Sequence, residues 1–497
     1  MDETQPLLPE RTNGHGTITK STSSSLLDFD ANGDSDNPQE WKTSYKWGIV
    51  MLQAFMAFTV TFTCISLVPV ANNIVADLDG SSGKRSSSTA SVLLVTIWEL
   101  GEAAGPLLIA PLSEVYGRAP VFNLANGLFI AFTAMGALSQ STSLLIFTRF
   151  LTGCAVASNV LNPAIIGDMF PTKTRGSAMS IVMLAPLIGG AVGPAVAGFV
   201  AQTTGWRQIM WMSLGLATVA ELMFLLLLRE TYKPAILRKR AHELGIEARR
   251  IARGNDAEAA LNDKDFATAR SPMWDAIKRP ASVFVSSLVL QILSLYGAVL
   301  FAFFYIMSTT LPGILQDIYH FPPTLVGSTF LSFSIGSALG IVACNTLLDR
   351  ITLHLQKPGQ THQPENRLPL VIFGAFAFPL TVVLYGWAAQ IHLPIPVLIA
   401  SVALQGFTMI IGLVPVTSYV VDAFGLYSAS AMTTMLITRC VMSTILPMAA
   451  EPLHKRLGWG WGMCVLAAMC LVLAPVPVLV FRFGGRWREK SDFTKEE

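Results

Sequence analysis

The sequence predicts an all-α membrane protein with twelve transmembrane helices arranged as two six-helix bundles. Of its 497 residues, 52% are hydrophobic and only 13% are charged, a composition too apolar for a soluble protein of this length. Apolar segments of about 20 residues, the length that crosses a hydrocarbon core of ~30 Å, recur along the chain. The predicted spans are 46–70, 90–112, 119–138, 143–166, 176–200, 206–228, 283–311, 325–348, 368–388, 393–418, 429–450 and 459–481.

The polar stretches between these spans set the predicted domain boundaries. The first 44 residues are rich in Ser, Thr and Asn, which predicts a disordered tail. A longer polar stretch separates the sixth span from the seventh and predicts a linker between two bundles. The predicted domains are the tail 1–44, the first bundle 45–228, the linker 229–280, the second bundle 281–482 and the tail 483–497.

The linker contains an apolar stripe within a basic segment. Leu237, Leu244 and Ile251 are seven residues apart and share one face of a helix. The pattern predicts an amphipathic helix on the membrane surface, with its arginines toward the lipid headgroups. A solvated linker helix that contacts nothing is the alternative.

The distribution of basic residues predicts the orientation in the membrane. With the N-terminus in the cytosol, 27 of the 34 Lys and Arg residues fall in cytosolic segments, five fall on the opposite side, and Arg149 and Arg439 fall within spans. Basic loops favour the cytosolic side. We therefore expect both termini and the linker to be cytosolic. The same asymmetry marks the basic linker as a topology signal and argues against a nucleic-acid partner.

The loop after the second span contains the most informative motif. Residues 105–120 read GPLLIAPLSEVYGRAP, with Glu114 and Arg118 as the only charges and Gly117 at the turn. This segment resembles the loop between spans 2 and 3 of the major facilitator superfamily, in the version found in fungal drug:proton antiporters with twelve spans. It departs from the usual pattern at Ala110, which stands in place of a glycine. The resemblance implies a transporter with two six-span bundles around a central cavity.

A second pair of charges flanks the turn between spans 4 and 5. Asp168 and Arg175 are expected to join Glu114 and Arg118 in one charge cluster. The resemblance implies that such a cluster pairs when the cytosolic side is closed and so stabilises the outward-open state. Static tethering of the loops is the alternative. The loop after span 8, ending in Asp349 and Arg350, looks like a weak repeat of the first motif.

Ionisable residues inside the spans are the candidates for proton coupling. Arg149 resembles the family's Arg-Phe-x-x-Gly motif, whose arginine is implicated in coupling, although it could also snorkel from the end of span 4. Glu99 and Glu102 share one face of span 2, and Glu221 lies in span 6. A buried carboxylate accepts a proton more readily than an exposed one. A fixed salt bridge from Glu99 or Glu102 to Arg149 is the alternative.

Span 5 contains a run of small residues around a proline. Gly189 and Gly193 form a small-xxx-small face, and Pro194 and Gly198 follow. The run resembles the antiporter motif Gly-x-x-x-Gly-Pro-x-x-Gly-Gly, with Ala197 in place of one glycine. The resemblance implies export by exchange and not uptake by symport.

Polar and aromatic residues in the spans are the candidate substrate contacts. Together they suit an amphipathic pocket. Arg439 in span 11 is expected to face this cavity or to pair with Glu114 or Asp422. The other candidates are Gln53, Asn159, Asn162, Gln291, Tyr296, Tyr305, Gln405 and Tyr419.

The remaining expectations concern energy, partners and location. The sequence has no phosphate-binding Gly-x-x-x-x-Gly-Lys-Ser/Thr loop and no metal or catalytic constellation, so we expect no enzyme activity and no cofactor. The expected partners are the lipid bilayer, protons and a small organic molecule, and the protein is expected to be a monomer. The plasma membrane is expected first. A vacuolar or endosomal membrane is second, because Glu3 to Leu8 form an acidic-dileucine pattern. A non-transporting sensor and an uptake carrier are the alternative functions.

The orientation can be tested by labelling introduced cysteines. We expect an impermeant thiol reagent to label Arg250→Cys only after cells are permeabilised, because the linker is cytosolic. Arg456→Cys, on the opposite side, is the matched control and should react in intact cells. Labelling of Arg250→Cys in intact cells would reverse the predicted topology.

Overall fold

The computed structural model describes residues 29, 34–80, 88–252, 273–355, 363–488 and 494. All regular elements in these ranges are helices, which confirms the predicted fold class. The first bundle consists of span 1 (Thr43–Ile65 and Ala71–Leu78), span 2 (Ser88–Tyr116), span 3 (Arg118–Ala137), span 4 (Thr142–Cys154 and Ser158–Met169), span 5 (Thr172–Thr203) and span 6 (Trp206–Leu227).

The second bundle follows the helices Lys233–Ala252 and Met273–Ser286. Its members are span 7 (Leu288–Asp317), span 8 (Pro323–Leu355), span 9 (Leu368–Gln390), span 10 (Ile395–Phe424), and spans 11 and 12, which share the helix Ser428–Leu473 and its continuation Pro475–Arg488. Short 3-10 turns occupy Pro38–Glu40, Val68–Val70, Pro364–Arg367 and Gly425–Tyr427. We name the face that carries residues 34–41 and Lys233–Ala252 the terminal face, and the opposite end the far face.

A sharp turn at Gly458 separates spans 11 and 12. The described chain has eleven apolar helical stretches long enough to cross a membrane, and the last, Ser428–Arg488, is 61 residues long. At about 1.5 Å per residue it is far too long for a single crossing. Gly458 has non-helical angles (φ 79°, ψ 173°), which fold this stretch back on itself. The chain therefore crosses twelve times, as predicted.

Spans 1 and 4 are each divided into two helices, which the sequence did not predict. The first helix of span 1 ends at Ile65, and span 4 is interrupted between Cys154 and Ser158. The stretches 64–71 and 153–158 around the two breaks are mostly apolar or small, so hydropathy alone gives no boundary there. A helix that ends inside the protein leaves carbonyl groups without helical partners. The break in span 1 thus creates polar backbone at the centre of the first bundle.

Close backbone contacts fix span 2 against span 4. A Cβ atom on Gly153 would lie 2.3 Å from the Trp98 carbonyl oxygen, and one on Gly101 would lie 2.2 Å from the Phe150 carbonyl oxygen. Only glycine permits this approach, because any side chain would overlap the facing backbone. Span 2 is therefore held at a defined depth, which matters because it carries two buried acids.

We expect Gly153→Ala to destabilise the protein by about 1–3 kcal/mol, the usual cost of overpacking a close-packed contact. Gly127→Ala is the matched control, since a Cβ there would meet nothing within 4 Å. Thermal unfolding of both purified variants gives the comparison. Equal melting temperatures would show that spans 2 and 4 can separate without cost.

Candidate functional site

Two buried glutamates from the first bundle meet the second bundle near the middle of the molecule. Glu99 and Glu102 are 3% and 7% exposed. The Tyr305 hydroxyl of span 7 donates a hydrogen bond to Glu99 Oε1 at 2.6 Å, while Glu99 Oε2 is buried and has no protein partner among the described residues. The acid of one bundle is thereby joined to a phenol of the other.

Glu102 lies at the centre of a larger polar cluster. It accepts hydrogen bonds from Asn159 Nδ2 at 2.6 Å and from Trp98 Nε1 at 3.2 Å. Arg439 of span 11 pairs with Glu102 at 3.5 Å. The cluster joins spans 2 and 4 of the first bundle to span 11 of the second.

Arg439 has a different partner from those expected. The sequence offered Glu114 or Asp422, but the guanidinium binds Glu102 and stacks over the Phe301 ring at 4.2 Å. Spans 2 and 11 also contact through Thr444, whose hydroxyl donates to the Thr96 carbonyl at 3.1 Å. Because these spans pack side by side, Glu102 is the acid within reach of Arg439.

Arg149 is held by backbone carbonyls and not by an acid. It is 1% exposed, which argues against snorkelling. Its guanidinium donates to the carbonyl oxygens of Thr63 at 2.8 Å and Cys64 at 2.6 Å, and it lies over the Trp98 ring at 4.6 Å. Among the described residues no carboxylate pairs with it, so the alternative of a fixed salt bridge to Glu99 or Glu102 is wrong. Arg149 instead caps the broken end of span 1, where a cation is favoured.

Glu221 lies apart from the other candidate coupling residues. Its Oε2 accepts a hydrogen bond from Asn126 Nδ2 at 2.8 Å, between spans 3 and 6. In the described chain no hydrogen bond or ion pair connects it to Glu99, Glu102 or Arg149. Glu221 is therefore a buried acid of the same bundle that takes no part in the contact with the second bundle.

The charges at the terminal face form a smaller cluster than the sequence suggested. Arg118 Nε lies 3.6 Å from Asp168 Oδ2. Arg175 donates to the Gly167 carbonyl at 3.0 Å instead of pairing with Asp168. Glu114 is solvent-exposed. The pair that connects the start of span 3 to the end of span 4 is thus Arg118 with Asp168.

Glu230, which the sequence analysis did not select, caps span 3. Its carboxylate accepts hydrogen bonds from the backbone N–H groups of Arg118 at 2.9 Å and Ala119 at 3.2 Å. Gly117 has φ 102°, and a Cβ atom there would lie 2.3 Å from Glu230 Oε2. The glycine of the motif is required both by its backbone angle and by this carboxylate. An acid at a helix N-terminus is favoured by the helix dipole.

The two residues after Glu230 contact the pair formed by Arg118 and Asp168. Thr231 donates its hydroxyl hydrogen to Asp168 Oδ2 at 3.2 Å, and Arg118 lies over the Tyr232 ring at 4.7 Å. Burial raises the pKa of the Tyr232 phenol, so its ring stays neutral. The Glu-Thr-Tyr sequence that follows span 6 is a signal that could have indicated this site. It joins the end of the first bundle to the loop between spans 2 and 3.

The second bundle carries an equivalent pair at a place the sequence did not indicate. Arg367, before span 9, pairs with Asp422 at the end of span 10 at 2.7 Å. Arg118 and Asp168 occupy the same relative positions in the first bundle. Arg488 pairs with Glu365 at 2.9 Å. The repeat is therefore clearer in these contacts than in the residues 345–350 that suggested it.

The small residues of span 5 contact both bundles. Cβ atoms on Gly189 and Gly198 would lie 2.7 Å from the Phe58 carbonyl of span 1 and 2.4 Å from the Pro323 carbonyl of span 8. Gly193 faces Phe62, and the Pro194 carbonyl faces Gly327 of span 8. The motif thus packs span 5 against span 1 and, near the far face, against the other bundle.

The remaining candidate substrate residues divide into two groups. Gln291 and Gln405 donate to backbone carbonyls, at 2.9 Å to Phe284 and at 3.5 Å to Thr381, which are packing contacts. The second group is buried and presents polar atoms that have no protein partner in the described chain. It comprises both amide atoms of Gln53, the Asn162 Oδ1, and the hydroxyls of Tyr296 and Tyr419.

A cavity of about 670 Å³ lies between the bundles at the far face. Its lining includes Asn72, Thr309, Asp317 and Glu451, from spans 1, 7 and 11. Thr309 donates its hydroxyl hydrogen to the backbone carbonyl of Tyr305 at 2.8 Å, one turn from the phenol that binds Glu99. The inner end of this cavity therefore approaches the buried acids. The polar residues that line it lie at span ends, where the sequence gives no distinct pattern.

We expect Glu230→Ala to destabilise the protein by up to about 2 kcal/mol, because the N-terminus of span 3 loses its cap. Transport should fall as well, since the cap positions Arg118. Glu114→Ala, an exposed acid in the same loop, is the control and should change stability by less than about 0.5 kcal/mol. Thermal unfolding of the purified variants decides between them. Equal losses of stability in the two variants would mean that the overall charge of the loop, and not the cap formed by Glu230, stabilises the terminal face.

Comparison with known proteins identifies a family and relatives that this chain resembles. Residues 49–447 match the family model of the Major Facilitator Superfamily. The efflux pump radE of Floropilus chiversii is 32% identical over 94% of this chain and 86% of its own length. The MFS transporter cpaT of Aspergillus oryzae is 32% identical over 97% of this chain and 96% of its own length.

Solved transporter structures share the fold at low identity. The xylose transporter XylE from E. coli superposes with a TM-score of 0.63 at 16% identity, covering 88% of this chain and 99% of that one. The human organic anion transporter MFSD10 gives a TM-score of 0.59 at 18% identity, covering 88% and 100%. These structures agree with the fold, while the family model and the relatives at 32% identity establish that the chain belongs to the major facilitator superfamily and is a multi-pass secondary transporter.

Proposed function

We propose that the protein exports a small organic molecule in exchange for protons, by alternating access between its two bundles. The observation that carries this proposal is the position of Glu99 and Glu102, buried where the bundles meet and bound to Tyr305 and Arg439 of the opposite bundle. A proton taken up here changes a contact that the two bundles share. No cofactor is needed, since the proton gradient supplies the energy.

The chemistry follows from the charge of Glu102. Its attraction to Arg439 requires an ionised carboxylate, and it gains strength from the burial of the Glu102 side chain, which is 9% exposed. Protonation removes that attraction and leaves the Arg439 guanidinium to find another partner, at a real cost inside the protein. Proton occupancy therefore biases the relative position of the bundles, which is what coupling requires.

In the proposed coupling, Arg149 positions a neighbouring side chain. It lies over Trp98, and Trp98 in turn donates to Glu102. The cation is fixed by two carbonyls of span 1. It thus fixes the indole that orients the acid, and it need not exchange a proton itself.

Export and substrate class rest on different observations. The cavity of about 670 Å³ is within the range of roughly 300–1,000 Å³ typical of pockets for drug-sized ligands. The basic-residue bias puts the terminal face in the cytosol and the cavity outside. One relative bears the name efflux pump. A drug-like compound, a secondary metabolite or an organic acid fits these features, as in a fungal multidrug antiporter. We propose a monomer in the plasma membrane first and in a vacuolar or endosomal membrane second.

The coupling proposal is tested by the double variant Glu99→Gln/Glu102→Gln. The transported compound is first identified by comparing what cells retain with and without the gene. In proteoliposomes with an imposed pH gradient, we expect the double variant to lose gradient-driven accumulation at least about tenfold, equivalent to ~1.4 kcal/mol. The compound should still bind, because the cavity is intact.

Glu221→Gln is the matched control. It also removes a buried acid of the first bundle, but one that is hydrogen-bonded to Asn126 away from the second bundle. It should retain accumulation. A well-folded double variant that still accumulates the compound against its gradient would contradict the proposal, as would an equal loss in Glu221→Gln.

A further inference from the structure

A second large cavity lies on the outside of the second bundle. It is a groove of about 650 Å³ between spans 8, 9 and 12, close to the terminal face. Its walls are apolar: Ile351 and Leu355 come from span 8, Ile372 from span 9 and Phe481 from span 12. Leu355 and Phe481 are 40% and 36% exposed, so the groove opens toward the surroundings of the bundle and not toward the transport path.

Two basic side chains line the same groove. Arg350 and His354 are four residues apart on span 8 and share one face of the helix. Both are exposed, and neither forms an ion pair or hydrogen bond with a residue in the described ranges. Arg118, Arg367 and Arg488, at the same ends of other spans, are each paired with a carboxylate. The groove therefore combines an apolar floor with a basic edge that no carboxylate of the described residues pairs with.

This combination matches one component of the membrane. The cytosolic leaflet is rich in anionic phospholipids, which attract basic residues at the ends of transmembrane helices. Such a lipid presents a phosphate at the depth of the helix ends and acyl chains below it. A water-soluble phosphate compound would use the basic edge and leave the apolar floor exposed.

We propose that this groove binds one anionic phospholipid of the cytosolic leaflet, with its phosphate at Arg350 and His354 and an acyl chain along Ile372 and Phe481. The assignment rests on the cytosolic orientation proposed for the terminal face. Pro369, which also lines the groove, follows Arg367 by two residues. The bound lipid therefore supports the start of span 9 beside the Arg367–Asp422 pair.

The test measures lipid binding to the full-length protein purified in detergent, by native mass spectrometry with phosphatidylserine and phosphatidylcholine. We expect phosphatidylserine to bind the wild type more tightly. Arg350→Gln should weaken that binding about fivefold, the effect of about one juxtamembrane charge. Ile372→Trp, which fills the groove without changing charge, should weaken both lipids. Arg279→Gln, an exposed arginine elsewhere on the same face, is the control and should bind as the wild type does.

Three outcomes would overturn the assignment. Equal binding of the two lipids by the wild type would remove the headgroup contact. An equal loss in Arg279→Gln would indicate diffuse charge attraction instead of a site. Competition by soluble glycerophosphoserine at the same concentration as the lipid would mean that the groove takes a free phosphate ester. None of these measurements involves transport, so the result stands or falls separately from proton coupling.

Discussion

The structure depends on a small group of charges placed where the two bundles meet inside a membrane. Glu102 binds Arg439 across the interface, and Glu99 accepts a hydrogen bond from Tyr305. Most other contacts between the bundles are between apolar or small residues, such as Gly198 against Pro323. Apolar surfaces gain little from association here, because lipid is as apolar as the helices. An ion pair with a buried carboxylate is sensitive to protonation, and the proposed proton coupling rests on this property.

Two other charged residues associated with the first bundle complete broken backbone. Arg149 binds carbonyls left free where the first helix of span 1 ends, and Glu230 binds N–H groups at the start of span 3. Both arrangements satisfy groups that a helix terminus leaves without partners. They also fix geometry: Arg149 orients Trp98 against Glu102, and Glu230 positions Arg118 beside Asp168. The same side chains thus satisfy helix ends and fix the positions of neighbouring side chains.

The sequence was sufficient to predict the fold, because the length and hydropathy of each span are local properties of the chain. Length and hydropathy predicted twelve crossings, and the structure has them, including the turn at Gly458. The breaks in spans 1 and 4 were not predicted, because the stretches around Ile65 and Cys154 are mostly apolar or small, although Pro69 and Gly153 lie beside them. The sequence predicted which residues belong to the candidate site, but not which of them pair with one another. Arg439 was expected near Glu114 or Asp422 and binds Glu102, since partner choice depends on which spans are adjacent.

The weak internal repeat shows why partners are hard to predict from one sequence. The two halves place an arginine near the start of their third span and an aspartate at the end of their fourth, as Arg118 with Asp168 and Arg367 with Asp422. The sequence signal is short: a proline lies two residues after each arginine, and a phenylalanine lies two residues after each aspartate. What the halves share is the requirement that adjacent helix ends be joined by opposite charges. A repeat of this kind is retained more clearly in the positions of the paired charges than in the residue sequence. A search for it should therefore compare charged residues by their position relative to span ends, which is how Arg367 and Asp422 correspond to the first pair.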